Sequence, residues 1–384
     1  MKIAIPKEVR EGETRVAVSP DTVKKLAALG AEVWVQSGAG LASAVTDAAY
    51  GQAGAKIADG ARATYAGADI VLKVARPMTA AEGSDEIALI PEGATLIGML
   101  QPLQHKAQAQ AYAARRLTVF AMELLPRITR AQSMDVLSSQ SNLAGYKAVL
   151  DAAANFGRIL PMMMTAAGTI APAKVLVLGA GVAGLQAIAT ARRMGAVVSA
   201  FDVRPAVKEQ VESLGAKFVE VDSDEVKTAE TAGGYAREMS EEDQRRQRQK
   251  IHDTVKTQDM IITTALIPGK PAPVLITEDM VKDMKPGSVI VDLAVEAGGN
   301  CPLSEYGKIV VKHGVTLVGH ANVPGRVATD ASALYARNLL NFLTPLIDRE
   351  AKTLKIDWND EIVMGTLLTR DGKVVHPALV DGAG

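Results

Sequence analysis

The sequence predicts an α/β protein of two doubly wound parallel sheets with a cleft between them. Three observations predict it. Short apolar stretches alternate with helix-like stretches from Lys2 to Glu123. The alternation restarts at Lys174, and a glycine-spaced turn directly follows the first strand of that restart. Repeated strand–helix alternation packs as a parallel sheet wrapped by helices. The 384 residues have room for two or three domains of ordinary size.

In chain order, KIAIPKE is the first strand, and Asp21 is expected to cap a helix running through VKKLAALG to Gly30. EVWVQSG is a strand and TDAAYGQAGA a helix; DIVLKV (69–74), ATLIGML (94–100) and LTVFAME (117–123) are further short strands. Residues 126–143 are polar and show neither periodicity until about Val136, where a helix begins that is expected to reach Gly157. The second sheet is expected from KVLVLG, VVSAFDV, KFVEV, MIITTAL, SVIVDLA and TLVGH. A helix, SALYARNLLNFLTPLI, then leads to a tail that reads as a strand pair turning at RDGK. The tail is too small to stand alone and is expected to join the first domain. The expected division is therefore 1–135 plus 330–384 against 136–329, with a mobile loop at about 222–243 inside the second domain.

Composition limits the function. Apolar residues at 48% and charged residues at 22% suit a globular protein with full cores. A net charge of −1 argues against nucleic-acid binding, which needs a basic surface. The run RRQRQK (245–250) is read as a solvated helix face. One cysteine, Cys301, precludes an intrachain disulfide and suits a reducing compartment. No apolar run reaches the roughly 20 residues of a membrane helix, and the N-terminus has no secretory apolar core.

Gly179, Gly181 and Gly184 form G-x-G-x-x-G after the strand VLVLG and ahead of a helix. This is the dinucleotide-binding, Rossmann-like arrangement. The first glycine allows the tight turn, the second admits the pyrophosphate, and the third lets helix and strand pack closely. The helix N-terminus presents free N–H groups to the phosphates. Asp202 ends the next strand, where a carboxylate accepts from both ribose hydroxyls of NAD and repels the 2′-phosphate of NADP. Arg204 is expected against the adenine or in solvent. A dehydrogenase for an alcohol or amine also moves a proton and usually carries an acid–base group for it. Of the five histidines, only His320 falls near the cofactor side of a strand, and none has metal-ligand spacing; no metal is expected. Hydride exchange between two nicotinamides needs no such group, so its absence is itself informative.

The segments MKIAIPKEVREGETRVAVSP, AQSMDVLSSQSNLAGYKAV, PMMMTAAGTIAPAKVLVLGAGVAGLQAIATARRMGA, TAETAGGYAREM and VDLAVEAGGNCPLS together resemble domain I of the proton-translocating nicotinamide nucleotide transhydrogenases, relatives of the alanine dehydrogenases. The likeness covers nearly the whole chain. It implies that this chain binds NAD(H), that NADP(H) sits on a partner domain III, and that a membrane-spanning domain II couples the hydride transfer to proton movement. It implies a homodimer, peripheral on the cytoplasmic or equivalent side of an inner membrane. It also implies a site: Arg127, Ile128, Thr129, Gln132, Asp135 and Ser138 orienting the nicotinamide and its ribose, with Gln132 bridging the two nucleotides and an Arg127–Asp135 ion pair fixing the loop. Val182 lies on the pyrophosphate; Val203, Arg204, Gln247, Ala265 and Leu266 line the remainder. Gly234, Tyr235 and Met239 belong to a loop that closes over the nucleotide. The catalytic histidine and aspartate of alanine dehydrogenases fall at Gln101 and Glu296, whereas their substrate-carboxylate contacts survive as Arg15 and Lys73. Two alternatives follow: a soluble NAD-dependent amino-acid dehydrogenase, or a non-enzymatic NAD-sensing module.

Overall fold

The computed structural model describes residues 1–221, 240–267 and 269–380. Its strands are, in chain order, β1 (Lys2–Ile5), β2 (Glu32–Gln36), β3 (Lys56–Ala58), β4 (Ile70–Ala75), β5 (Thr95–Met99) and β6 (Thr118–Ala121). A hairpin follows, β7 (Met163–Thr165) and β8 (Gly168–Ile170). Next come β9 (Lys174–Leu178), β10 (Val197–Phe201), β11 (Lys217–Phe218), β12 (Met260–Thr263), β13 (Val289–Asp292), β14 (Lys308–Lys312) and β15 (Val315–Gly319). The tail holds β16 (Ile347–Asp348), β17 (Thr353–Leu354), β18 (Leu367–Arg370) and β19 (Lys373–Val374). These described residues divide into two compact units: Met1–Gln140 with the chain from Gly325 onward, and Ser141–Pro324.

The first unit carries a sheet in the order β3-β2-β1-β4-β5-β6-β18-β19. β1 to β6 run parallel, and β18 joins β6 antiparallel. Side chains alternate between two cores. Ile3, Ile5, Ile70 and Leu72 enter one, and Ala4, Val71, Leu96 and Val119 enter the other. Both faces are thus buried, which is why these strands read as apolar runs. The β18–β19 turn falls on Asp371 and Gly372, both at positive φ (51° and 77°), as a two-residue hairpin of this hand requires.

The first helix, Pro20–Ala28, is capped by Ser19 and not by Asp21. The Thr22 N–H donates to Ser19 Oγ (3.3 Å) and the Ser19 N–H to Thr22 Oγ1 (2.9 Å), a reciprocal box. Pro20 has no N–H to satisfy and takes the first helical position. Asp21 therefore falls inside the first turn and pairs with Lys25 (2.8 Å).

The second unit repeats the plan with the order β11-β10-β9-β12-β13-β15-β14. Val175 and Val177 point to one core, Leu176 and Leu178 to the other. β14 is antiparallel at the edge, a strand that the apolar patterning does not reveal. The strand order reverses between β9 and β12, and in such sheets ligands bind beyond the strand ends at that reversal. A 19-residue helix, Val136–Ala154, carries the chain from one unit to the other and ends short of Gly157. KFVEV contributes only Lys217–Phe218 to the sheet. Residues 241–243, expected in a loop, begin the helix Glu241–Val255, on which RRQRQK is largely exposed.

Candidate functional site

The glycine loop leaves β9 at the point of strand reversal, and its three glycines answer three different constraints. Gly179 sits at φ +98°, and a Cβ there would lie 2.6 Å from Thr264 Oγ1. At Gly184 a Cβ would lie 1.8 Å from the carbonyl oxygen of Gly179, so the helix Val182–Arg193 packs on bare backbone. Gly181 meets no such neighbour: a Cβ would find nothing nearer than the Arg204 guanidinium, 4.0 Å away. The open ground over Gly181 is the room a pyrophosphate needs. The helix begins there without a side-chain cap, so its first-turn N–H groups keep the anion-binding character of a helix N-terminus. Val182, at the first helical position, is exposed. One further glycine matters outside the motif. A Cβ on Gly145 would lie 2.0 Å from the Ala183 carbonyl oxygen, so the long helix braces the first turn of the glycine-loop helix.

Asp202 follows β10 and is buried. Its Oδ2 accepts from the Ala180 N–H (2.7 Å), which ties the carboxylate to the glycine loop. Arg204 does not lie in solvent. Its N–H and Nε donate to Asp202 Oδ1 (both 2.9 Å), and Nη2 donates to Oδ2 (2.8 Å). Val203 is half-buried against the core under β10.

The opposite bank follows β12. Thr264 Oγ1 donates to the Gly179 carbonyl (3.0 Å). Ala265 is held by Asn300, whose Oδ1 accepts from the Ala265 N–H (3.0 Å) while Nδ2 donates to the carbonyls of Ala265 (2.9 Å) and Pro273 (2.8 Å). Asn300 is wholly buried and fully used, so the bank is rigid where Leu266 begins to project into solvent. Asp292 fixes the loop behind it: Oδ1 accepts from Thr263 Oγ1 and the Ala294 N–H, and Oδ2 from the Cys301 N–H. Sequence reasoning misses Asn300 and Asp292, which act through backbone groups that no motif displays. Cys301 is buried, and burial pushes its thiol up to about 11, far from a reactive thiolate. Gln247 is half-buried on the helix Glu241–Val255. Gly234, Tyr235 and Met239 lie outside the described residues.

In the first unit, the polar stretch is not irregular. Thr129–Met134 is a 3₁₀ helix. Two asparagines on the helix Ala328–Leu343 hold it: Asn338 Nδ2 and Asn341 Nδ2 both donate to the Ser133 carbonyl (2.9 Å each). Asn338 Oδ1 also accepts from Ser139 Oγ (2.7 Å). Arg130 forks onto Asp360 at 2.6 and 2.9 Å. Asp135 does not pair with Arg127. Its Oδ1 accepts from the Ser138 N–H (2.9 Å) and its Oδ2 from Ser138 Oγ (2.5 Å), which caps the following helix. A carboxylate directly before a helix finds N–H groups closer than any side-chain cation. Arg127, Thr129 and Gln132 face solvent, and Ile128 is half-buried against the core.

The positions shared with amino-acid dehydrogenases are accounted for within the chain. Arg15 forks onto Glu13 (Nε 2.8 Å, Nη2 2.7 Å) and donates from Nη1 to Gln140 (2.9 Å). Lys73 is fully buried between Glu86 (2.7 Å) and Glu8 (3.1 Å). Burial opposes its charge, but the two carboxylates hold its pKa above the usual lysine value. Gln101 cannot titrate; it sits at φ +50°, its N–H donating to Glu123 Oε1. Glu296 Oε1 accepts from the Asn322 N–H (2.6 Å), which pins the segment after β15. A pocket of about 230 Å³ opens beside Glu8, Glu13 and Arg15. Among the described residues, no cluster of His, Cys, Asp or Glu is arranged to hold a metal, and no helix is long and apolar enough to cross a membrane.

Comparison with known proteins follows the same division. The family models for the alanine dehydrogenase/PNT N-terminal and C-terminal domains match residues 4–144 and 148–377. An NAD(P) transhydrogenase subunit alpha chain of Rhodospirillum rubrum is 65% identical over 379 residues, covering 99% of each chain. The crystal structure of transhydrogenase from Sinorhizobium meliloti is 50% identical, with a TM-score of 0.85 over 98% of this chain and 100% of that one. An L-alanine dehydrogenase structure is 26% identical, with a TM-score of 0.82 over 99% and 98%. Matched along both domains and to relatives of the same length, the chain belongs to the alanine dehydrogenase/PNT family, among the NAD(P) transhydrogenase alpha subunits.

Proposed function

We propose that this chain binds NAD(H) and exchanges a hydride directly with NADP(H) carried by a partner domain III, while a membrane-spanning domain II couples the exchange to proton translocation. The observation that carries the reading is a pairing. The second unit has open ground over Gly181 beside a buried Asp202. Gln101, which cannot move a proton, stands where an amino-acid dehydrogenase is expected to place its histidine. Bound NAD(H) would supply the hydride. The residues of this chain would bind, orient and shield it.

In this reading the glycine loop takes the pyrophosphate, and Asp202 takes the adenosine ribose. Ala265, Leu266, Val203 and Gln247 line the nucleotide. Arg127, Thr129, Gln132, Asp135 and Ser138 orient the nicotinamide end, supported by their place on a turn clamped by Asn338 and Asn341. Gln132 is exposed and has both donor and acceptor, as bridging two nucleotides requires. Gly234, Tyr235 and Met239 would close over the bound nucleotide. Catalysis is then positioning: two rings at a near-attack distance. The chain would be peripheral on the membrane through its partners. A homodimer is supported by the β7–β8 hairpin, which exposes Met162, Met163, Met164 and Ile170 together.

The test mixes the chain with its NADP-binding partner and follows reduction of an NAD analogue by NADPH. Transfer should appear with the partner and vanish without it. Gln132→Asn should slow transfer about tenfold or more while NADH affinity changes less than about twofold. Equal effects on both would remove the bridging role. Alanine-dependent NADH production by the chain alone would favour the amino-acid dehydrogenase instead.

A further inference from the structure

Asp202 has four acceptor positions on its two oxygens, and the structure fills all four. The Ala180 N–H and the Arg204 backbone N–H take two of them. The Arg204 side chain takes the other two, Nε on Oδ1 (2.9 Å) and Nη2 on Oδ2 (2.8 Å). An adenosine ribose offers two hydroxyl donors. They must compete, one for one, with the two side-chain N–H groups of Arg204.

The place of the guanidinium adds a second fact. Its Nη2 is the nearest atom to the open ground over Gly181, 4.0 Å from where a Cβ would stand. A cation displaced from Asp202 therefore sits at the rim of a phosphate-binding loop. Arginine at this point of a Rossmann-like fold is suited to a ribose 2′-phosphate, which it grips bidentately.

We infer that Arg204 is a masked 2′-phosphate ligand: Asp202 reads the NAD ribose and, through the same two oxygens, keeps Arg204 from accepting NADP. The inference rests on the reading of this loop as the NAD(H) site and deepens it. Selectivity would then be set by one ion pair in place of two independent residues. Repulsion of the 2′-phosphate and sequestration of its natural partner would be a single interaction.

The test measures NADH and NADPH dissociation constants by calorimetry for the full chain and three variants: Asp202→Asn, Arg204→Ala and the double variant. Asp202→Asn keeps the size of the side chain and removes its charge. It should weaken NADH about tenfold and strengthen NADPH about tenfold, the scale of one charge-assisted hydrogen bond. The double variant should lose the NADPH gain. Arg204→Ala alone frees two acceptors on Asp202 and should tighten NADH about threefold, with NADPH still rejected. A folded Asp202→Asn that binds NADPH no better than the unaltered chain overturns the inference. So does an NADPH gain that survives in the double variant. Should Asp202→Asn fail to fold, Arg204→Ala decides: unchanged or weaker NADH binding overturns the masking. NADH binding by the unaltered chain keeps these results separate from the reading of the site, which falls only if that binding is missing.

Discussion

At the residue scale, the glycine loop separates what folding requires from what binding requires. A methyl group at Gly184 would collide with the Gly179 carbonyl at 1.8 Å, and backbone cannot yield as a flexible side chain can. Gly184→Ala is expected to lose about 3 kcal/mol of stability or more. Gly181 has negative φ (−78°) and open space before it, so Gly181→Ala should cost within about 1 kcal/mol, the difference between glycine and alanine at a helix cap. Its NADH affinity should nevertheless fall about a hundredfold, because the methyl occupies the ground of the pyrophosphate. Thermal melts with NADH titrations of both variants check the pair. A Gly181→Ala chain that bound NADH normally would show that the ligand does not approach there.

Glu123 offers a second test at this scale. Its Oε1 accepts from the Leu100 (2.7 Å) and Gln101 N–H groups, while Oε2 is buried without a hydrogen-bond partner. Burial pushes the carboxyl from its ordinary 4.5 to about 7. A carboxyl raised in this way binds its proton more tightly in the folded chain. Stability is therefore lost as pH rises from about 4.5 to 7, and stays reduced above that. Glu123→Gln keeps the acceptor for the two N–H groups and removes the charge. It should exceed the unaltered chain in stability above pH 7, by at most about 3 kcal/mol, with the gap closing toward pH 4.5. Urea denaturation at pH 5 and pH 8 reads the difference directly.

At the element scale, the 3₁₀ helix Thr129–Met134 is too short to hold itself. Its shape comes from the helix Ala328–Leu343, roughly 200 residues later, through Asn338 and Asn341 on the Ser133 carbonyl. Ser133 is the neighbour of Gln132, so this clamp sets where Gln132 is presented. Asn338→Ala leaves the Ser139 hydroxyl without its acceptor and halves the hold on Ser133. It should cost about 1–3 kcal/mol of stability. In the partner assay it should lower the transfer rate about tenfold with NADH affinity nearly unchanged. A rate that follows only the folded fraction would leave Asn338 a packing residue. Asn338→Asp, which keeps the acceptor for Ser139 and loses the donor to Ser133, separates the two bonds.

At the scale of the molecule, legibility follows burial. The parallel strands are readable because both faces are covered and apolar residues run unbroken, as in Val175–Leu178. β14 escapes because an edge strand carries its own protection: Lys308 and Lys312 flank Ile309 and Val311, which face solvent, so the stretch reads as charged surface. The glycine loop is legible because each glycine has a local reason. The Arg204–Asp202 pair and the asparagine clamp are not, because they depend on which atoms meet once the chain has folded. Asp135 shows the same limit, since its nearest donors are the backbone and hydroxyl of Ser138 and not a distant arginine.

The hairpin β7–β8 also escapes the apolar patterning, and it carries the last prediction. Its two strands are exposed along their whole length, with Met164 at 76% and Met162 at 61%. A two-stranded hairpin is marginal alone, and methionines gain nothing from water. Within the chain it is anchored at its base, where Gly195 leaves room for Pro161: a Cβ there would lie 2.6 Å from the proline ring. The tip is unsupported by the unit it leaves. A second copy of the chain is the occupant proposed for it. In a two-fold dimer each methionine appears twice, so charge placed there is felt twice. Met163→Glu with Met164→Glu should leave the melting of the isolated chain within about 0.5 kcal/mol, as for other exposed positions. Burying four carboxylates at one interface should weaken dimerisation about a hundredfold or more. Sedimentation across a concentration series measures this against the unaltered chain. An unchanged dissociation constant would move the dimer contact elsewhere, and a chain already monomeric at high concentration would leave the hairpin for another partner.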